Sequence, residues 1–265
     1  KSLRGGLNLL PRGERGLEDG ELLGREDASV ARDFFLGALT TAQLNGLDST
    51  TLGSLSTTQV TSLSTTQIAG LTSSTLGRLG TTDIAALTTT EIGALTTAQL
   101  NAVDSTTMGA LTTTQVTSLS TTQVAALSVN QMLLLDSTQI SALSTTDLSV
   151  LTTNQIQGIT TAGISILSTT QVSSLTSTQF GALSVAQIGA LSATAAGALT
   201  TTELSALSAS QVKGFSTSAV GVLNTTQLTS FTTTQFAALT TTQFNALSTT
   251  NIAILSATEI AGLRS

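Results

Sequence analysis

From Leu39 to Gly262 the apolar positions recur at alternating spacings of five and three residues, and the pattern never slips through 28 eight-residue units. Neither a 3.6-residue helical period nor strand alternation produces that spacing. The unit reads Leu-[Ser/Thr]-Thr-Thr-Gln-[Ile/Val/Leu]-x-[Ala/Gly/Ser], as in Leu55 to Ser62 and Leu239 to Ala246. Position 1 is Leu in 24 copies, with Val103, Ile159, Phe215 and Phe231 as the exceptions. Position 6 is large and apolar in 27 copies, Ala196 being the lapse, and position 8 is Ala, Gly or Ser in 22. A unit repeated at fixed period marks an array architecture and is read before any other feature.

Position 2 decides the local structure. It is Ser, Thr, Asp or Asn in 27 copies and Gly80 in the other, which is the set preferred at helix N-caps. Three residues later, position 5 is Gln or Glu in 19 copies. Ser/Thr-x-x-Glu/Gln is the capping box, in which each side chain satisfies an orphan N–H of the other residue. With position 2 as N-cap, positions 1 and 6 become the two halves of a hydrophobic staple. The octad therefore predicts a helix of about one and a half turns over positions 3 to 8, then a turn into the next cap. So short a helix does not form alone, so positions 1, 6 and 8 must be buried against other octads. The expected fold is an all-α solenoid of short capped helices, one per repeat.

The alternative is a β-solenoid, because Thr, Val and Ile favour strands and Thr and Gln can stack in ladders. Against it, glycine is scattered over positions 7 and 8 instead of marking a fixed tight turn. A strand also gives no reason for Asp48, Asp104 and Asp136 to fall at position 2 alone.

Two regions follow from the pattern. Residues 39–265 form the octapeptide array, Leu263 opening a further copy. Residues 1–38 carry mixed charges among glycines, hold Pro11 as the only proline, and end in a degenerate first octad at 31–38. They are expected to cap the first repeat or to serve as an assembly arm, since solenoid ends must be sealed. The array's open C-terminal end is expected as a second contact for self-association, because head-to-tail contacts that do not close make filaments. Leu39–Leu55 and Leu95–Leu111 match at a separation of seven octads, with Asp48 over Asp104. This 56-residue recurrence is read as a duplication in the history of the gene and not as a coil of the fold.

Composition narrows function by exclusion. The 265 residues carry a net charge of −6, and six of the nine Lys and Arg precede residue 33. From residue 39 on, Arg78, Lys213 and Arg264 stand against eight acids, so the basic stripe that nucleic acid demands is missing. There is no Cys, His, Tyr or Trp. A Ser-His-Asp triad, a His metal site and a Cys nucleophile are excluded, and Ser or Thr without a base is no nucleophile. No run of 18 apolar residues is present, so no membrane span is expected. The start of the chain lacks the apolar core of a signal peptide.

Individual residues add little chemistry. Asp48, Asp83, Glu91, Asp104, Asp136, Asp147, Glu203 and Glu259 occupy positions 2 or 5 and fit capping roles. Asp83 and Glu91, at position 5 of adjacent octads, are a weak candidate for a shared calcium ion. Five Phe residues late in the array sit at positions 1 or 6 and read as core. Leu134, Val150, Ile166, Val222 and Ile254 break the small-residue rule at position 8, either as local core variation or as contacts with another chain. Asn224-Thr225-Thr226 is a formal glycosylation sequon. No catalytic, cofactor-binding or metal residues are assigned, no cofactor is expected, and an enzyme is not.

The array resembles the Ser/Thr-rich octapeptide repeats, of the Leu-Thr-Thr-Ala-Gln-Ile-Ala-Ala-Leu kind, of bacterial surface and secreted proteins. The resemblance covers residues 39–265, is compositional, and implies a structural role without site residues. The expected function is a structural repeat protein that self-associates into an extracellular or cell-surface filament, sheath or adhesin stalk. The alternative is a binding module whose Thr, Ser and Gln rows recognise an ordered surface, ice or polysaccharide, if successive octads stack in register.

Overall fold

A computed structural model describes residues 36–257. Residues 1–35 of the expected arm at 1–38, and residues 258–265 at the other end, lie outside the described residues. Within them are 27 α-helices of four to six residues, from Thr41–Asn45 to Thr249–Ala253, one in every octad. No strand occurs among the described residues, so the all-α reading holds and the β alternative does not. The described helices fall into two compact units that divide between Val103 and Asp104.

Each helix starts as the repeat dictates. In Thr97–Ala102 the N-cap Thr96 is extended, with φ −71° and ψ 157°. Its Oγ1 accepts the Gln99 N–H at 3.2 Å, while Gln99 Oε1 accepts the Thr96 N–H at 2.7 Å. Thr232–Gln235 and Ser208–Gln211 repeat this reciprocal pair. Each helix stops after at most six residues because the next position 1 returns to extended backbone, as at Val103, or the last turn is closed by a cap N–H, as at Ala246. Eight residues thus hold one complete cap, helix and turn.

The staple positions make the core. Position 6 is fully sealed at Ile68, Ile92, Val124, Ile156, Phe180 and Phe236, and position 1 is buried at Leu71, Leu127, Leu191 and Phe215. Burying one such side chain contributes about 1.5–3 kcal/mol, so positions 1 and 6 supply an apolar interior within each unit, Ile252 near the end of the described residues remaining 38% exposed. Position 4 faces solvent and position 2 is exposed or half-buried, as at Thr112 and Thr160.

Coil size follows from which octads touch. In the first unit Thr57–Thr61 packs on Thr81–Ala86, and Ser73–Leu76 on Thr97–Ala102. In the second, Val185–Ala190 packs on Ala209–Gly214, and Ala193–Gly197 on Thr217–Gly221. Each pair is three octads apart. Side-chain hydrogen bonds reach four octads back, as from Gln99 to Ile68. A helix that straddles its third and fourth predecessors gives a coil of about 28 residues, three and a half octads, in each unit. Successive coils are therefore offset by half an octad, and like positions align only on every second coil.

That geometry gives the 56-residue recurrence a physical meaning, because seven octads fill two coils. Several lapses from the consensus keep the same period. Val103, Ile159 and Phe215 replace Leu at position 1 at intervals of 56 residues, and Thr51, Thr107, Gly163 and Ala219 replace Gln at position 5. The recurrence thus coincides with two turns of the coil and does not stand apart from the fold. The lone position-6 lapse belongs to it as well. A Cβ on Gly163 would stand 3.3 Å from Ile140, and 56 residues later the same pair is Ala219 and Ala196. The alanine pair gains one carbon at position 5 and loses three at position 6, so the exchange refills only part of the volume.

Small residues at positions 7 and 8 mark close coil contacts. A Cβ on Gly214 would lie 2.8 Å from the Val185 carbonyl oxygen, and one on Gly189 2.8 Å from that of Gly214. Where position 8 is large, as at Leu134, Ile166 and Val222, the side chain lies outside and is 44 to 48% exposed.

Candidate functional site

The most elaborate chemistry in the described residues is a buried ladder of side-chain amides at position 5. Gln99, Gln139, Gln187 and Gln235 are 2 or 3% exposed, and a primary amide buried without partners costs several kcal/mol. Each amide is satisfied at both ends. Its Oε1 accepts the N-cap N–H of its own helix, closing the capping box. Its Nε2 donates to the C-terminal carbonyls of the octad four places back and to the position-1 carbonyl just after it.

Three rungs give the geometry. Gln99 Nε2 donates to the carbonyls of Ile68 at 3.2 Å, Ala69 at 3.1 Å and Leu71 at 2.7 Å. Gln179 repeats this with Leu148 at 2.9 Å, Ser149 at 3.2 Å and Leu151 at 2.6 Å. Gln243 reaches Val212, Lys213 and Phe215 at 3.3, 3.1 and 2.8 Å. Asn251, shorter by one methylene, keeps only the bond to Leu223, at 2.7 Å. The carbonyls are the orphan acceptors that every helix end exposes. One side chain thus caps the N-terminus of its own helix and the C-terminus of another, a coil away.

A second, sparser clasp joins octads three apart from position 7. Asn45 Nδ2 donates to the Gly70 carbonyl at 3.0 Å while its Oδ1 accepts the Thr72 N–H at 2.8 Å. Gln157 Nε2 donates to the Ala182 carbonyl at 2.9 Å.

The capping role of Gln was legible in the sequence, but its second role was missed. A signal for it exists, since position 5 holds Gln sixteen times and Glu three. A capping box accepts Glu equally well, and a helix N-terminus favours the charged residue. Preference for the amide therefore reports a demand for a donor.

The acids fall into two sets. Asp48, Asp104 and Asp136 are N-caps whose Oδ1 accepts the position-5 N–H at 2.8 to 2.9 Å. The Thr51 backbone N–H, then its hydroxyl, holds the Asp48 carboxyl below its ordinary value, and Thr107 does the same for Asp104. Asp83, Glu91, Asp147 and Glu203 replace Gln at position 5 and are buried. Burial pushes the Asp83 carboxyl up, against a single opposing bond from the Gly80 N–H. The Asp83 and Glu91 carboxylates do not converge on a shared ion, since each sets one oxygen on its own N-cap, Gly80 or Thr88. Glu259 lies outside the described residues.

Among the described residues no three His, Cys, Asp or Glu side chains group together. A shallow groove of about 410 Å³ runs past Ala209, Lys213, Ala238 and Thr240. Asn224, the sequon residue, is an N-cap with Oδ1 bonded to the Gln227 N–H at 2.9 Å. No described helix is long and apolar enough to cross a membrane.

Comparison with known families adds one finding. Residues 36–73, 76–113 and 140–177 each match the model of the ALTTAQ repeat. The name is spelled out by Ala38 to Gln43 and again by Ala94 to Gln99, from position 8 of one octad through position 5 of the next. The chain is similar to that repeat over these three stretches, which supports a repeat array. A search of curated proteins finds no match.

Proposed function

We propose that this chain is a structural element, the repeating shaft of an extracellular or cell-surface filament, sheath or adhesin stalk, which associates with copies of itself. The observation that carries this reading is the amide ladder. The most frequent buried polar residue of the repeat is directed at joining one coil to the next. A polar core organised this way resists separation of coils along the stack, as a shaft requires. The likeness to the ALTTAQ repeat supports a structural repeat protein.

The surface is compatible with lateral association. It consists largely of Ser and Thr hydroxyls with few charges, so copies repel one another weakly. Exposed Leu133, Leu134, Ile166 and Val222 supply apolar contacts. Recognition of ice or polysaccharide by straight Thr rows is the less favoured reading, because the half-octad offset staggers those rows from one coil to the next.

Electron microscopy and sedimentation velocity of the purified chain at micromolar concentration test the proposal. Long ordered fibres, or concentration-dependent oligomers, are the expected result. A chain that sediments as a monomer at every concentration and shows only dispersed particles removes self-association as its function.

A further inference from the structure

Where Glu replaces Gln in the ladder, the rung holds acceptors on both sides. Glu203 is 3% exposed and sits in the same capping box as its Gln neighbours. Its Oε2 accepts the Thr200 N–H at 2.6 Å and the Thr200 hydroxyl at 2.8 Å. The carboxylate is isosteric with the amide, so these bonds place Oε1 where Nε2 stands in the other rungs. By the register of Gln179 and Gln235, that place faces the carbonyls of Val172, Ser173 and Leu175. No N–H or O–H of the described residues is directed at Oε1. Because no fully buried side-chain oxygen among them lacks a partner, Oε1 keeps some contact with solvent. Glu91 repeats the arrangement. Its Oε2 accepts from Thr88 at 2.7 and 2.8 Å, and its Oε1 is in register with the carbonyls of Val60, Thr61 and Leu63.

We infer that Glu91 and Glu203 each bind a hard cation of the calcium class, which bridges the carboxylate and the C-terminal carbonyls of the octad four places back and replaces the amide rung. Three observations point this way. The donor set is all oxygen, one carboxylate with two or three backbone carbonyls, which is the set calcium takes, with water completing its shell. The spacing fits. In Gln211 the amide nitrogen stands 2.7 and 2.9 Å from the Leu183 and Gly181 carbonyl oxygens. With oxygen in its place, these separations become oxygen–oxygen edges. Two oxygens at about 2.4 Å from one calcium ion stand about 2.7–3.2 Å apart. Finally, the acids recur in phase. Glu91, Asp147, Glu203 and Glu259 lie 56 residues apart at position 5, so the substitution returns every seven octads. Asp147, whose Oδ2 accepts from Ser144 at 3.0 and 2.6 Å, is a methylene shorter and forms a weaker member of the series.

With one formal charge per site, affinity falls in the 10⁻⁴–10⁻³ M range of weak calcium modules. The inference is independent of self-association, and thermal melting with calorimetric titration of the full chain tests it. After treatment with a chelator, millimolar calcium chloride is expected to raise Tm by about 2–4 °C and to give a saturable binding isotherm. The double variant Glu91→Gln/Glu203→Gln, which restores both amide rungs, is expected to melt higher than the chelated parent and to lose most of the calcium response. Absence of a calcium response in the parent overturns the inference, as does a response undiminished in the double variant.

Discussion

Gln179→Glu separates the two halves of the ladder's chemistry. The substitution is isosteric and keeps the acceptor that takes the Thr176 N–H at 2.7 Å. What it removes is the Nε2 donor to Leu148, Ser149 and Leu151. Two amide hydrogens serve those three carbonyls, so about two hydrogen bonds are lost, at about 1 kcal/mol net each. The new oxygen faces carbonyl oxygens, and leaving buried groups unsatisfied costs about another 1–3 kcal/mol. A charged residue near a helix N-terminus returns about 0.3–1 kcal/mol. The net expectation is a destabilisation of about 2–4 kcal/mol in chelator at neutral pH. Repeat arrays unfold locally as well as globally, so two measurements are needed: urea unfolding followed by far-ultraviolet circular dichroism, and hydrogen exchange of the amides between 143 and 186. Exchange in that window should accelerate while distant octads stay protected. A variant within about 0.5 kcal/mol of the parent and unchanged in exchange would show that inter-coil bonds contribute nothing, leaving capping as the whole role of Gln.

Three further outcomes follow from the structure. Gly214→Val places a Cβ 2.8 Å from the Val185 carbonyl oxygen and should lower stability by about 1–3 kcal/mol, whereas a valine at the exposed position 222 is already native; equal melting of variant and parent would contradict the close coil contact. Asp104, held below its ordinary value by the Thr107 N–H and hydroxyl, contributes stability that is present above about pH 4 and is lost as pH falls through its lowered value, so the parent should lose more stability than Asp104→Asn between pH 5 and pH 2 in acid-unfolding curves. Asp83 carries the opposite sign: burial raises it, so its contribution is present below the ordinary carboxylate value and is lost as pH rises through the raised one, and Asp83→Asn should melt higher than the parent at pH 7 but not at pH 2.

The octad itself determined the helices. A capping box joins residues three apart, and the staple joins residues five apart, so both can be read within one copy such as Leu95 to Leu100. The same local logic assigned positions 1 and 6 to the core and Asp48, Asp104 and Asp136 to N-caps. What the sequence could not supply is the identity of partners a coil away. Gln99 meets Leu71 only because the chain closes a turn in about 28 residues, and that number depends on how short helices pack, not on any one repeat. The tertiary structure therefore decided the second role of Gln, the closeness that keeps Gly214 small, the half-octad stagger of the surface and the two-coil meaning of the 56-residue period. Local hydrogen bonds fix the element, and long-range packing fixes which orphan carbonyl each amide finds.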